Sequence, residues 1–176
     1  MSGHNKWSKI KNKKAVEDSR RSKLFSMLVR TITMESRAVQ GDKSHPRLRA
    51  AIEKARGANM PNDNIERAVA RGTGAGGESY TEVLYESYGP GGVALIIEAI
   101  TDNKNRTAAE VRHLLSQEGL ELASPGSALW AFRKTVSTWE AETTVPLGDA
   151  DGEKLASLVE KLEEHPDINN VYTNAE

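Results

Sequence analysis

The sequence predicts an α+β protein: an N-terminal three-helix domain followed by an α/β sandwich with a mainly antiparallel sheet. Three observations carry this. First, the charge reverses along the chain. Met1–Gly72 holds eight Lys and nine Arg against seven acidic residues, a net of +10, while Thr73–Glu176 holds seven basic and eighteen acidic residues, a net of −11. Second, the apolar period changes from helical spacing in the first half to strand-like runs in the second. Third, a glycine-rich stretch, Gly72-Thr-Gly-Ala-Gly-Gly-Glu-Ser79, separates the two. The expected organisation is a basic helical domain over 1–72 with a mobile N-terminal arm, a linker over 73–79 and an α+β domain over 80–176.

Residues 1–14 show no apolar periodicity. They place Lys6, Lys9, Lys11, Lys13 and Lys14 around Trp7 and Ile10, with no acid before Glu17. Such a segment repels itself and is expected to order on meeting an anion, with the Trp7 indole available to stack on a base. A long helix is expected from Ala15 to Val39. Leu24, Phe25, Leu28, Val29 and Ile32 form its apolar stripe, with Lys23, Arg30 and Arg37 opposite at one per heptad. A second helix is expected from His45-Pro46 to Ala58, burying Leu48, Ala51, Ile52 and Ala55 and leaving Arg47, Arg49, Lys54 and Arg56 outside. Pro61-Asn62-Asp63 opens a third, which packs through Ile65, Ala68 and Val69 and is expected to stop at Gly72.

In the second half, Tyr80–Tyr88 and Val93–Thr101 read as strands around the turn Gly89-Pro90-Gly91-Gly92. Thr107-Ala-Ala-Glu110 reads as a capping box opening a helix to about Glu118. Ser127–Arg133 and Val136–Glu142 read as an antiparallel pair. A helix over 151–164 through Leu155, Leu158, Val159 and Leu162, then a strand over 168–173, complete the set. Helices on one face of a mainly antiparallel sheet follow from this order.

The chemistry excludes much. Cysteine is absent, which removes disulfides, thiolate metal sites and cysteine nucleophiles. The four histidines lie far apart, and no nucleophile elbow, His-Glu-x-x-His or paired Asp motif is present. The glycine-rich stretch has no strand before it and no Gly-Lys-Ser/Thr after it, so it is not read as a nucleotide loop. No apolar run has the length of a secretory signal or a membrane span. The expectation is a cytoplasmic, non-enzymatic protein without cofactor, membrane contact or small-molecule substrate, with a carboxylate–metal nuclease as the surviving enzymatic alternative. The most unusual polar run is Asp102-Asn103-Lys104-Asn105-Arg106-Thr107, between a buried strand and a helix start, where an anion would be favoured. Its local alternative is an Asn/Asp turn.

Several motifs in order resemble the YebC family, which includes the mitochondrial translational activator of cytochrome oxidase. They are Gly3-His4-Asn5-Lys6-Trp7-Ser8-Lys9-Ile10-Lys11, Pro46-Arg47-Leu48-Arg49, Asn59-Met60-Pro61-Asn62-Asp63-Asn64-Ile65, Tyr85-Glu86-Ser87-Tyr88-Gly89-Pro90-Gly91-Gly92-Val93 and Thr101–Thr107. The resemblance covers nearly the whole chain. It implies a helical first domain with α/β domains beyond it, and a role as a DNA-binding transcriptional regulator or as a ribosome-associated translation factor that helps proline-rich stretches. Neither role implies catalysis. It also implies two departures. The family's inserted third domain is missing after Trp139–Glu142, where the chain passes to Thr143-Thr-Val-Pro-Leu147, and Gly119-Leu120 replaces a Gly-Gly.

The candidate nucleic-acid contacts are therefore Lys6, Trp7, Lys9, Lys11, Lys13, Lys14, Arg20, Arg21, Lys23, Arg30 and Arg37, with Asn103, Asn105 and Arg106 from the polar loop. The expected partner is DNA or ribosomal RNA, with the ribosome as a larger target. A module that docks basic proteins through its acidic half is the non-nucleic-acid alternative.

Overall fold

The computed structural model describes residues 14–74, 79–136 and 138–176, with side chains from residue 19 onward. The fold is α+β and divides into two compact units. One gathers the helices up to Thr81 with Ile100–Asn103, the other Glu82–Ala99 with Lys104–Glu176.

The first unit contains α1 (Lys14–Ala38), α2 (Pro46–Gly57) and α3 (Asn62–Thr73). Pro46 occupies the first turn of α2, and the His45 ring accepts the Arg47 N–H at 3.4 Å, satisfying an amide with no partner inside the helix. Leu28 and Ile32 of α1 pack with Leu48, Ile52 and Ala55 of α2 and Ile65, Ala68 and Val69 of α3. Phe25 and Val29 lie at the margin of this core. Leu24, expected in the stripe, is exposed, because Leu28 and Ile32 set the centre of the buried face one residue round the helix.

Small polar side chains tie α1 to α3. Ser36 Oγ donates to the Val69 carbonyl at 2.7 Å, and Thr33 Oγ1, which donates to the Val29 carbonyl of its own helix at 2.8 Å, also lies 3.2 Å from the Ala68 carbonyl. Gly72 sits in the same seam. It does not end the helix as the sequence implies; it is buried in the last turn of α3, which runs on to Thr73.

In the second unit, a three-stranded sheet runs in the order β1 (Thr81–Tyr88), β2 (Ala94–Thr101), β5 (Ile168–Thr173). The central β2 is buried along almost its whole length, which is why it reads as an uninterrupted apolar run. It pairs antiparallel with β5 from Leu95↔Thr173 to Ala99↔Ile168, with an irregularity at Glu98/Ala99. Gly91 turns the hairpin between β1 and β2 with φ of +70°, a backbone conformation that favours glycine.

On one face, Leu95, Ile97 and Ala99 meet Val111 and Leu115 of α4 (Lys104–Gln117) and Leu155, Leu158 and Leu162 of α5 (Asp149–Glu164). On the other, Ala94 and Ile96 meet Ala128, Ala131 and Phe132. Phe132 opens the two-stranded pair β3 (Phe132–Lys134) and β4 (Trp139–Ala141), far shorter than the expected 127–133 and 136–142. Residues 124–130 instead form a loop ending in a 3₁₀ turn at Leu129–Ala131.

The capping box at Thr107 is overturned. The helix begins at Lys104, so Thr107 lies within it, buried, and its hydroxyl donates to Asp167 Oδ2 at 2.7 Å. The strand-end Thr101 supplies the local bond, its Oγ1 accepting the Asn103 N–H at 2.9 Å.

Candidate nucleic-acid interface

Lys6, Trp7, Lys9, Lys11 and Lys13 lie outside the described residues, and Lys14 opens α1. Along α1 the expected cations differ in setting. Arg20, Arg21 and Arg37 are exposed, whereas Lys23 and Arg30 are partly buried. The Arg21 guanidinium lies 5.6 Å from the centre of the Phe25 ring, and that of Arg30 lies 5.7 Å from the Tyr80 ring. Arg30 Nη1 also donates to the Ile100 carbonyl at 3.4 Å. Arg20, Lys23, Arg30 and Arg37 all have interaction partners. The heptad row read from the sequence is therefore a set of individually seated cations.

A second group of cations, absent from the sequence-derived contacts, lies on α2 and α3. Arg49, Lys54 and Arg56 of α2 and Arg71 of α3 are exposed and have no ion-pair or hydrogen-bond partner among the described residues. Leu48, Ala51, Ile52 and Ala55 take the inward face of α2 and force these arginines and the lysine outward. The period was visible in the sequence; what it did not show is which cations are neutralised. Arg47 is taken by the buried Glu35 at 2.8 Å, and Lys43 by Glu66 at 2.5 Å.

Helices α2 and α3 are separated by only Ala58–Pro61, the spacing of a helix-turn-helix. The leading turn of α3, which would read bases, is occupied locally. Arg67 donates to Asn64 Oδ1 at 2.5 Å and to the Asp63 carbonyl at 3.2 Å, and Asp63 and Glu66 add negative charge there. This end of α3 is poorly equipped for major-groove readout, which relies on free Asn, Gln or Arg side chains.

The polar loop of the second half is built as a tie. Arg106 Nη2 donates to Asp167 Oδ2 at 2.8 Å, and Arg106 Nε lies 3.9 Å from Glu110 Oε2. Asp167 is 3% exposed in its side chain, whereas Arg106 is 43% exposed. Asn103 and Asn105 are exposed.

The fold also gathers Glu110, His165 and Asp167, whose potential ligand atoms lie within 4.8 Å of one another, a grouping that the scattered histidines gave no sign of. Several of its atoms are bonded to one another. His165 Nδ1 accepts the Asp167 N–H at 3.1 Å, which leaves the proton on Nε2 for Glu110 Oε2 at 2.8 Å. With Arg106 and Thr107 on Asp167 as well, the group joins α4 to the α5–β5 turn. Near it, burial first and the Asp167 charge second raise the Tyr85 phenol above its ordinary value.

The fold is similar to that of a solved conserved hypothetical protein from Aquifex aeolicus. The two match with a TM-score of 0.84 at 32% identity, over 95% of each chain. The family model described as the TACO1/YebC protein N-terminal domain matches residues 5–75, and that of the TACO1/YebC second and third domain matches residues 80–137. The chain belongs to the TACO1/YebC family. A probable transcriptional regulatory protein of Petrotoga mobilis is 48% identical over 179 residues, covering 100% of this chain and 71% of the relative. One of Fervidobacterium nodosum, with the same description, is 55% identical over 136 residues, 76% of this chain and 54% of the relative. The chain thus spans between about half and about seven-tenths of the length of these relatives.

Proposed function

We propose that this chain is a cytoplasmic, non-catalytic, nucleic-acid-binding regulator of gene expression whose helical first unit grips a phosphate backbone. The observation that carries the proposal is the set Arg49, Lys54, Arg56 and Arg71, exposed and without ion-pair or hydrogen-bond partners among the described residues, on the half of the chain that bears a net charge of +10. Cations left unpaired by their own fold release condensed counterions when they meet phosphates, and that release supplies most of the affinity. The description of the relatives as probable transcriptional regulatory proteins supports the regulatory role.

Duplex DNA is the target those descriptions favour. The occupied leading turn of α3 favours a second reading, a factor that binds structured RNA, ribosomal RNA included, through backbone and unstacked bases. A titration of the purified protein at fixed salt against duplex DNA, single-stranded RNA and ribosomes distinguishes them. Preference for ribosomes or RNA establishes the second reading, and preference for duplex establishes the first. Changing Lys11, Lys13 and Lys14 to Glu is expected to weaken binding at least tenfold while the circular dichroism is unchanged. Unaltered binding would remove the arm from the interface.

A further inference from the structure

The first unit carries a cleft of about 420 Å³ lined by Ser22, Phe25, Ser26, Val29, Arg30, Arg71 and Tyr80. We propose that this cleft seats one unstacked nucleotide of a bound single strand of RNA, and the inference rests on the nucleic-acid reading above. The wall has two chemistries. Phe25, Val29 and Tyr80 offer apolar and aromatic surface, which suits a base because every base has a π-face. Arg30 and Arg71 offer two guanidiniums, and Ser22 and Ser26 two hydroxyls, which suit a phosphate and a ribose.

The volume falls in the range of small-ligand sites, about 300–1,000 Å³, and so admits one nucleotide where a duplex would not enter. The two arginines are differently prepared. Arg30 is fixed by the Tyr80 ring and the Ile100 carbonyl. Arg71 is exposed, with no partner among the described residues to lose on binding phosphate. The Ser26 hydroxyl donates to the Ser22 carbonyl at 3.1 Å, which leaves its lone pairs to accept from a sugar hydroxyl. That acceptor and the aromatic surface set an RNA nucleotide ahead of a free anion, for which aromatic walls would be superfluous.

Fluorescence anisotropy with a single-stranded RNA and a duplex DNA of equal length tests this on the full chain. Arg71→Ala and Tyr80→Leu are each expected to weaken single-strand binding about tenfold, the scale of one stacked base or one charge-assisted contact. Tyr80→Leu is expected to leave duplex binding within about twofold, since backbone contacts elsewhere persist. RNA carrying 4-thiouridine should photo-crosslink to Phe25 or Tyr80. Arg49→Glu/Arg56→Glu serves as the control, since it reduces binding of both polymers through the outer cations. If that control loses affinity while Tyr80→Leu and the crosslinks show nothing at the cleft, the nucleotide site is wrong and the wider reading stands. If the unaltered protein binds no nucleic acid, both fall. Circular dichroism of each variant separates loss of the site from loss of the fold.

Discussion

Gly72 sits in the seam between α1 and α3. A Cβ added there would lie 2.5 Å from the Thr33 carbonyl oxygen and 2.6 Å from Ser36 Cβ, so backbone and side chain both stand in its way. The Ser36 hydroxyl also bonds the Val69 carbonyl of α3, and the helices cannot separate without losing that bond. Gly72→Ala gains helix propensity, about 1 kcal/mol, but meets an overpacking penalty that reaches about 3 kcal/mol. The net expectation is a loss of about 2 kcal/mol, read from the urea midpoint; a stabilised variant would show that the seam relaxes freely. From sequence alone this glycine looked like helix punctuation, because a glycine beside a glycine-rich stretch has the same letters whether it ends a helix or lets two helices touch.

At the scale of elements, the helices were readable and the loops were not. Stripes such as Leu48, Ala51, Ile52 and Ala55 follow from periodicity, and so do the buried β2 and α5. What periodicity misses is tertiary commitment of polar groups. Thr107 has the spacing of a cap yet serves Asp167, sixty residues away in sequence. Of the candidate interface, the basic character of the first half was legible, while the pairing that removes Arg47 and leaves Arg49 and Arg56 was not. The loop over 124–130 shows the same thing. The buried Glu86 carboxylate accepts the Gly126, Ala128 and Leu129 N–H groups at 2.6, 2.7 and 3.0 Å, and so builds an irregular loop where strand was expected. Trp130 Nε1 donates to Tyr88 Oη at 3.1 Å at the end of that loop. Glu86→Ala would leave three amides without their acceptor, and a loss of about 3 kcal/mol follows from bonds to a charged group. Hydrogen exchange should quicken at Ala128 and Leu129 before the sheet opens; protected amides in the variant would show that the loop holds itself.

For the whole molecule, the separation of charge governs how binding responds to salt. A chain with a formal net charge of −1 would show little attraction to a polyanion if its charge were evenly mixed. Here the first half carries +10 and the second −11, so a polyanion is expected to be drawn to the first half of the chain and repelled by the second. If about five phosphates are neutralised, the slope of log K against log salt is expected near −3.5 for a single strand and near −4.5 for B-DNA, from roughly 0.7 and 0.9 per contact. The slope reports the number of contacts, so each outer cation can be counted. Arg49→Ala and Arg56→Ala should each flatten it by about 0.7 to 0.9. Tyr80→Leu, which removes no charge, should weaken single-strand binding at every salt concentration and leave the slope unchanged. A slope that stays the same when Arg49 and Arg56 are removed would place the phosphates elsewhere on the chain, and a slope near zero in the unaltered protein would turn attention to the acidic half and a basic protein partner.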